Sequence, residues 1–164
     1  MSEKIPFVTK EQLEDIASRY ATPFYLYDEK GIRETARRVN KAFSWNKGFK
    51  VYFAVKATPT PGILKILHEE GCGADCSSYT ELLMADAVGF KGDEIMFSSN
   101  DTPAEDFQLA RKLNATINLD DITILTFWSA WPIFPIPCAA ATTRAGILPL
   151  PTTLWTIRAM PNTA

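Results

Sequence analysis

From Lys50 onward the chain alternates short apolar runs with stretches whose apolar residues recur at helical spacing, repeating about every twenty residues as βα units do. The runs predict strands at Val51 to Lys56, Gly73 to Cys76, Glu94 to Ser98 and Ala115 to Leu119. Helices are predicted between them. Pro61 to Glu70 carries Ile63, Leu64 and Leu67 on one face, Tyr79 to Val88 carries Leu82, Leu83 and Ala87, and Pro103 to Lys112 carries Phe107 and Leu109. Gly71 and Gly89 supply C-terminal stops, and Thr102 before Pro103, with Glu105 following, offers an N-cap. Ahead of this block, Pro23 to Asp28 reads as a strand and Glu29 to Phe43 as a long, arginine-rich helix.

Parallel strands joined by helices form either a closed barrel or an open doubly wound sheet, and four strands fit both. In both architectures functional residues gather at the carboxyl ends of strands, where Lys56, Asp75, Asn100 and Asp120 fall. No Gly-x-Gly-x-x-Gly or Gly-x-x-x-x-Gly-Lys loop follows any strand, which argues against a dinucleotide or nucleoside triphosphate.

Lys56 is the most informative of these positions. An amine at the mouth of an apolar strand, desolvated against Val51, Phe53 and Val55, has its charged form disfavoured and can form a Schiff base with an aldehyde such as pyridoxal phosphate. On the strand sequence alone, a solvated charge at a strand end is the commoner reading. Asp75 and Glu81 likewise read by themselves as surface charges. Asn100, within Ser99-Asn100-Asp101-Thr102, also suits a turn and helix cap. His68, beside Glu69 and Glu70, reads as a surface residue.

The 164 residues carry a net charge of -2, which gives no reason to expect nucleic acid or an anionic membrane as partner. Cys72, Cys76 and Cys138 lack paired metal-ligand spacing and His68 is the only histidine, so neither a metal site nor a disulfide framework is expected. The amino terminus has no signal-like apolar core, and no apolar run of about 18 residues precedes the tail, so the expected location is the cytoplasm.

The average composition hides a seam. All 19 acidic residues and 15 of the 17 lysines and arginines precede Ile124. Residues 124–164 hold only Arg144 and Arg158 as charges, with six of the 11 prolines and three of the four tryptophans. This divides the chain into residues 1–123 and a tail of different character, 124–164.

Four segments in order, Thr22-Pro-Phe-Tyr-Leu-Tyr-Asp28, Tyr52-Phe-Ala-Val-Lys56-Ala, Gly73-Ala-Asp75-Cys-Ser-Ser-Tyr-Thr-Glu81-Leu and Phe97-Ser-Ser-Asn100, resemble the amino-terminal part of diaminopimelate decarboxylases. These belong to the alanine-racemase-like class of pyridoxal phosphate enzymes. The resemblance spans roughly residues 8 to 123 and implies a partial (β/α)8 TIM-type barrel, truncated and followed by an irregular tail. It also implies that Lys56 carries pyridoxal 5'-phosphate as an internal aldimine, with Asp75, Glu81 and Asn100 beside the cofactor. The implied reaction converts meso-diaminopimelate to L-lysine and carbon dioxide in a complete homodimeric enzyme. A decarboxylase of ornithine, arginine or carboxynorspermidine, or a non-catalytic cofactor-binding barrel, fits the same motifs.

The family should continue with a glycine-rich phosphate loop and an imidazole stacked on the cofactor, yet the tail has Gly146 alone and no histidine. An out-of-frame translation explains this. Joining the third base of each codon to the next two permits H-I-D-F-L-E after Thr123 and C-R-Y-N-P-G-G from Cys138, the latter a family-like segment. Four positions are fully constrained: Phe127-Trp128 forces Leu, Trp131-Pro132 forces Ala, Trp155-Thr156 forces Asp and Met160-Pro161 forces Ala. The alternative is a genuine proline- and tryptophan-rich terminal segment. On the out-of-frame reading, this chain as it stands is expected to be inactive.

Overall fold

The computed structural model describes residues 5–119, together with the strand segments 138–140 and 155–157. Strands β1 (Tyr52–Ala54), β2 (Gly73–Cys76), β3 (Ile95–Ser98) and β4 (Thr116–Leu119) lie side by side in sequence order, all parallel. Helices α3 (Pro61–Glu69), α4 (Tyr79–Val88) and α5 (Ala104–Lys112) form the crossovers. Two short strands beyond the seam, β5 (Cys138–Ala140) and β6 (Trp155–Ile157), extend the sheet, β5 parallel to β4 and β6 antiparallel to β5. Sequential parallel order is what a β/α barrel requires, and β1 to β4 form a part of one; the antiparallel β6 departs from that pattern.

Alternation along each strand separates the two faces. Ala74 and Cys76, Ile95 and Phe97, and Ile117 and Leu119 are buried beneath the helices with Leu64, Leu82, Ala85, Phe90, Phe107 and Ala110. Asp75, Met96, Ser98, Thr116 and Asn118 point to the opposite, half-buried face. The burial of Phe97 and Phe107 is reinforced by an edge-on ring contact at 5.8 Å between centroids.

Gly73 has a steric reason to be glycine. A Cβ there would lie 2.6 Å from the Tyr52 ring and 2.7 Å from the Glu94 carbonyl, so only a bare backbone lets Tyr52 cross β2. The Tyr52 hydroxyl then donates to the Asp93 carbonyl at 2.6 Å, tying β1 to the turn before β3.

Helix α2 (Glu29–Ala42) packs beside α3 through Ala36 and Ile32 against Ile63 and Leu67, and ion pairs reinforce the contact. The Arg37 guanidinium donates twice to the Glu70 carboxylate, at 2.6 Å each, and Arg33 donates to Glu70 at 3.0 Å, Glu69 at 2.7 Å and Glu29 at 2.9 Å. These arginines hold the Glu70 carboxyl below the usual carboxylate range, Arg37 contributing most. An apolar cleft of about 650 Å³ opens between α2, β1 and α3, lined by Leu26, Ile32, Val39, Val51 and Phe53 among others.

Several sequence expectations need correction. Pro23 to Asp28 forms no strand; Tyr25 is 89% exposed, and among the described residues no strand pairs with the segment. The expected strand Val51 to Lys56 is regular only over Tyr52–Ala54, because Val55–Ala57 turns into a 3-10 helix. Thr102 does not cap α5: the N-cap is Pro103, with no side-chain cap bond. On α4 the buried residues are Leu82 and Ala85, whereas Leu83 and Ala87 face solvent. Gly71 and Gly89 do end their helices, with φ of 80° and 113° that favour glycine. Helix α1 (Lys10–Arg19) was not expected. It begins with a reciprocal capping box, Thr9 Oγ1 accepting the Gln12 N–H at 3.3 Å and Gln12 Oε1 accepting the Thr9 N–H at 2.8 Å.

Candidate active site at the carboxyl ends of the strands

The β1–β2 register sets Ala54 opposite Asp75, and Lys56 follows two residues later, in the 3-10 turn that lifts the chain off the sheet. The turn changes the environment expected for Lys56. Its neighbour Val55 is fully buried, but Lys56 itself is exposed, so the desolvation against Val51, Phe53 and Val55 expected from the strand sequence is not what surrounds it. The amine is reachable from solvent.

Asp75 is the electrostatically unusual member of the group. Burial pushes its carboxyl above the usual range; the nearby Ser98 hydroxyl and then the Lys56 charge oppose that rise, and the Glu81 charge adds to it. One of its oxygens, Oδ1, is buried without a hydrogen-bond partner. Leaving a buried carboxylate oxygen unpaired is costly, and a cationic group bound there would satisfy it.

Glu81 is brought near Asp75 but is already engaged. Its carboxylate accepts the Ser77 N–H at 2.9 Å and lies 3.3 Å from both the Ser77 and the Ser78 hydroxyls, while Ser78 Oγ caps α4 by accepting the Glu81 N–H. Glu81 therefore fixes the turn after β2. Asn100 is exposed in the loop between β3 and α5. Asp120 lies outside the described residues.

Three polar residues missed by the sequence reading belong to this end of the molecule. Ser98 and Asn118 pair in register on β3 and β4, and Asn118 Nδ2 donates to Ser98 Oγ at 3.3 Å. Asp106, only 6% exposed, accepts the Tyr79 N–H at the start of α4 at 3.1 Å. Inward alternation along β3 and β4 was the available signal for the first two; Asp106 had none.

His68 is not the free surface residue expected from its glutamate neighbours. Its Nε2 lies 3.2 Å from Glu94 Oε2 and its ring tilts over Phe90 at 4.3 Å. Among the described residues, no group of three His, Cys, Asp or Glu side chains forms a metal-binding cluster, and no helix is long and apolar enough to cross a membrane.

An accessible primary amine beside a carboxyl with a free buried oxygen fits an aldehyde cofactor bearing positive charge once attached. The strand order and this site define a pyridoxal-binding β/α domain. The family described as pyridoxal-dependent decarboxylase, pyridoxal binding domain, matches residues 29–126, more than half of the chain, and the chain belongs to that family.

Protein TabA of Pseudomonas amygdali pv. tabaci is 45% identical over 113 residues, covering 69% of this chain and 27% of that protein. Diaminopimelate decarboxylase of Methanothermobacter thermautotrophicus is 37% identical over 107 residues, covering 65% and 25%. The crystal structure of diaminopimelate decarboxylase from Helicobacter pylori complexed with L-lysine matches with a TM-score of 0.59 and 32% identity, over 70% of this chain and 29% of that one. The chain thus spans about a quarter of the length of the curated relatives it matches.

Proposed function

We propose that the chain is the cofactor-binding portion of a pyridoxal phosphate-dependent carboxy-lyase for a basic amino acid. Its substrate is meso-diaminopimelate and its products are L-lysine and carbon dioxide. The observation that carries this reading is the placement of the exposed Lys56 two residues past Ala54, which stands opposite Asp75 in the β1–β2 register, within reach of the Asp75 charge, and Asp75 has a buried, unpartnered Oδ1. Pyridoxal phosphate, when bound, supplies an electron sink for the pair left as a carboxylate departs as carbon dioxide.

The chain's own residues supply attachment, charge and proton movement. Lys56 Nζ is the nucleophile that holds the aldehyde, and as a free amine it moves a proton at the reacting carbon. Asp75 places negative charge next to that amine and favours cationic groups there. Glu81 acts through Ser77 and Ser78 by holding the β2–α4 turn in place. Asn100, exposed after β3, is a polar contact for the cofactor.

The substrate assignment draws on the diaminopimelate decarboxylase relatives. It is tested by adding meso-diaminopimelate, ornithine, arginine or carboxynorspermidine to the cofactor-loaded chain and following the visible absorbance. A change with meso-diaminopimelate alone supports the assignment; an equal response to all four, or a response to another one only, contradicts it. A homodimeric complete enzyme, a cytoplasmic location and a role in lysine biosynthesis form part of the same proposal.

Residues 124–164 are, on this reading, an out-of-frame continuation. Its support is the loss of acidic residues after Asp121 together with a family match that stops at residue 126. The chain in this form then attaches its cofactor but turns substrate over poorly. Sequencing the gene from the Thr123 codon onward tests this: an alternative frame running through C-R-Y-N-P-G-G into a histidine and a glycine-rich loop supports it, and a frame that closes at once overturns it.

A further inference from the structure

We propose that two copies of this chain join edge to edge through β1, each β1 running antiparallel to the other about a two-fold axis at Phe53. The contact is independent of the cofactor reading and separate from the homodimer proposed for the complete enzyme.

The sheet leaves one side of β1 open. Among the described residues β1 pairs with β2 alone, and none of Tyr52, Phe53 and Ala54 is buried, whereas β2, β3 and β4 each bury at least two residues. The Val51 carbonyl accepts the Gly73 N–H at 2.7 Å, so along a parallel ladder the backbone groups of Phe53 also turn towards β2. Those of Tyr52 and Ala54 turn outward, where no backbone group of the described residues meets them. Such an edge is a template for another strand. A two-fold axis at Phe53 sets Tyr52 opposite Ala54 of the second copy and Ala54 opposite its Tyr52, so every outward N–H and C=O finds a partner.

Charge on α2 favours the same arrangement. Arg33, Arg37 and Asn40 turn towards α3, where they bond to Glu69 and Glu70. Helical spacing puts Gly31, Arg38 and Ala42 on the other flank. Asp28 and Thr58 both line the apolar cleft, so the amino end of α2 lies at the carboxyl end of β1. The acids Asp28, Glu29 and Glu34 stand in the first half of the helix region, and the bases Arg37, Arg38 and Lys41 in the second. Antiparallel docking therefore brings the acidic half of one α2 to the basic half of the other. Asp28 and Arg38, which form no ion pair among the described residues, meet across the axis.

The cleft supplies the apolar part of the contact. It opens beside the free edge of β1 with a volume of about 650 Å³, and on its rim Leu26 and Tyr27 remain 37% and 45% exposed. The axis places the two rims together, so each copy removes the other's apolar surface from water. The same patch is used on both copies, which closes the assembly at a dimer.

The test uses the full chain. Sedimentation velocity over a range of concentrations reads association, and amide hydrogen exchange reads the edge. A monomer–dimer equilibrium is expected, with the Tyr52 and Ala54 amides protected in the dimer and exchanging quickly after dilution. Ala54→Pro removes an outward donor yet suits the fold, because Ala54 already has a φ of -67° and its N–H faces away from β2. This variant should keep its circular dichroism and be monomeric. Asp28→Arg and Arg38→Asp should each weaken the dimer roughly tenfold, since the axis makes each contact twice, and the double variant should restore it. Neither change removes a helix cap, because Asp28 makes no side-chain cap bond on α2.

A chain that is monomeric at every concentration overturns the proposal; protected Tyr52 and Ala54 amides in that monomer would mean that the chain covers its own edge. A dimer that survives Ala54→Pro moves the contact off β1 and overturns it as well. Growth beyond a dimer contradicts the two-fold closure, and a charge swap that fails to restore association contradicts the antiparallel docking.

Discussion

The Asp75 carboxyl and the Lys56 ammonium act on each other across the β1–β2 pair, where the strand register sets Ala54 opposite Asp75 and Lys56 follows within the same turn. Burial outweighs that attraction and leaves the Asp75 carboxyl raised. A raised carboxyl binds its proton more tightly in the folded chain than in the unfolded one. Stability is therefore lost as pH rises from the ordinary aspartate range through the folded value, and stays reduced above it. Asp75→Asn should remove this loss, so that the variant is the more stable protein at neutral pH without cofactor. Urea unfolding midpoints of the two proteins across the acidic to neutral range check it; a variant less stable at neutral pH contradicts the assignment of cost to that site.

Glu70 gives the opposite sign. Arg37 and then Arg33 lower its carboxyl, so its contribution is present above the ordinary glutamate range and is lost as pH falls through the folded value. Glu70→Gln should flatten the acid side of the stability curve and loosen α2 from α3. Amide hydrogen exchange along α2 at neutral pH should quicken in the variant, and unchanged exchange there would remove the clamp from the account.

Asp106 ties two helices together through one backbone group. Its buried carboxylate takes the Tyr79 N–H at the first turn of α4, so Asp106→Ala leaves that donor unsatisfied. The expected cost is about 1–2 kcal/mol, with faster exchange concentrated at the amino end of α4. Asp106→Asn, which keeps an acceptor oxygen, should recover much of the loss in a chemical denaturation series.

Gly73→Ala puts a methyl group where the Tyr52 ring and the Glu94 carbonyl already lie. Relief requires Tyr52 to swing away and release the Asp93 carbonyl, at a cost of about 1–3 kcal/mol. Pairing it with Tyr52→Ala, which removes the ring contact but leaves the Glu94 carbonyl in place, should show partial non-additivity in a double-mutant cycle.

Cys76 is held inert by its surroundings. Burial first, then the Glu81 and Asp75 charges, push its thiol up to about 12, and burial also raises Cys72. Neither should take up a thiol reagent in the folded chain at mildly alkaline pH, whereas both should label in urea. Peptide-resolved mass spectrometry checks this, and rapid native labelling of Cys76 would mean that β2 is not covered by its helices.

The parts of the fold that were legible in the sequence are those whose boundaries it marks. Short apolar runs bounded by Gly and polar turns marked Gly73 to Cys76 and Glu94 to Ser98 as strands, although Ile95-Met96-Phe97, apolar in succession, did not show which residues face inward. Helix α4 was legible as a helix but not in its facing, because Leu82, Leu83, Met84 and Ala85 are apolar in succession and no stripe is selected. Helix α1 buries no residue, and only its Thr9–Gln12 box announced it. Pro23 to Asp28 has a strand's composition without a strand beside it, and pairing cannot be read from composition.

The candidate site divides in the same way. Lys56 and Asp75 were placed at strand ends by the sequence, where each by itself reads as a solvated charge, and the resemblance singled them out. What surrounds them was not legible. The exposure of Lys56 follows from a three-residue 3-10 turn, and the Asn118 to Ser98 bond joins positions twenty residues apart that only the sheet register brings together. Glu81 was singled out by resemblance alone, and its observed bonds to Ser77 and Ser78 are local ones that a serine-rich turn before a helix could have suggested.

The most direct test of the account is to incubate the full chain with pyridoxal phosphate, reduce with borohydride, and map the pyridoxyl group by peptide mass spectrometry. The account predicts modification concentrated on Lys56, abolished in Lys56→Ala and weakened in Asp75→Asn. Modification spread over the exposed lysines, with Lys56 no more reactive than Lys10, Lys30 or Lys65, would contradict it.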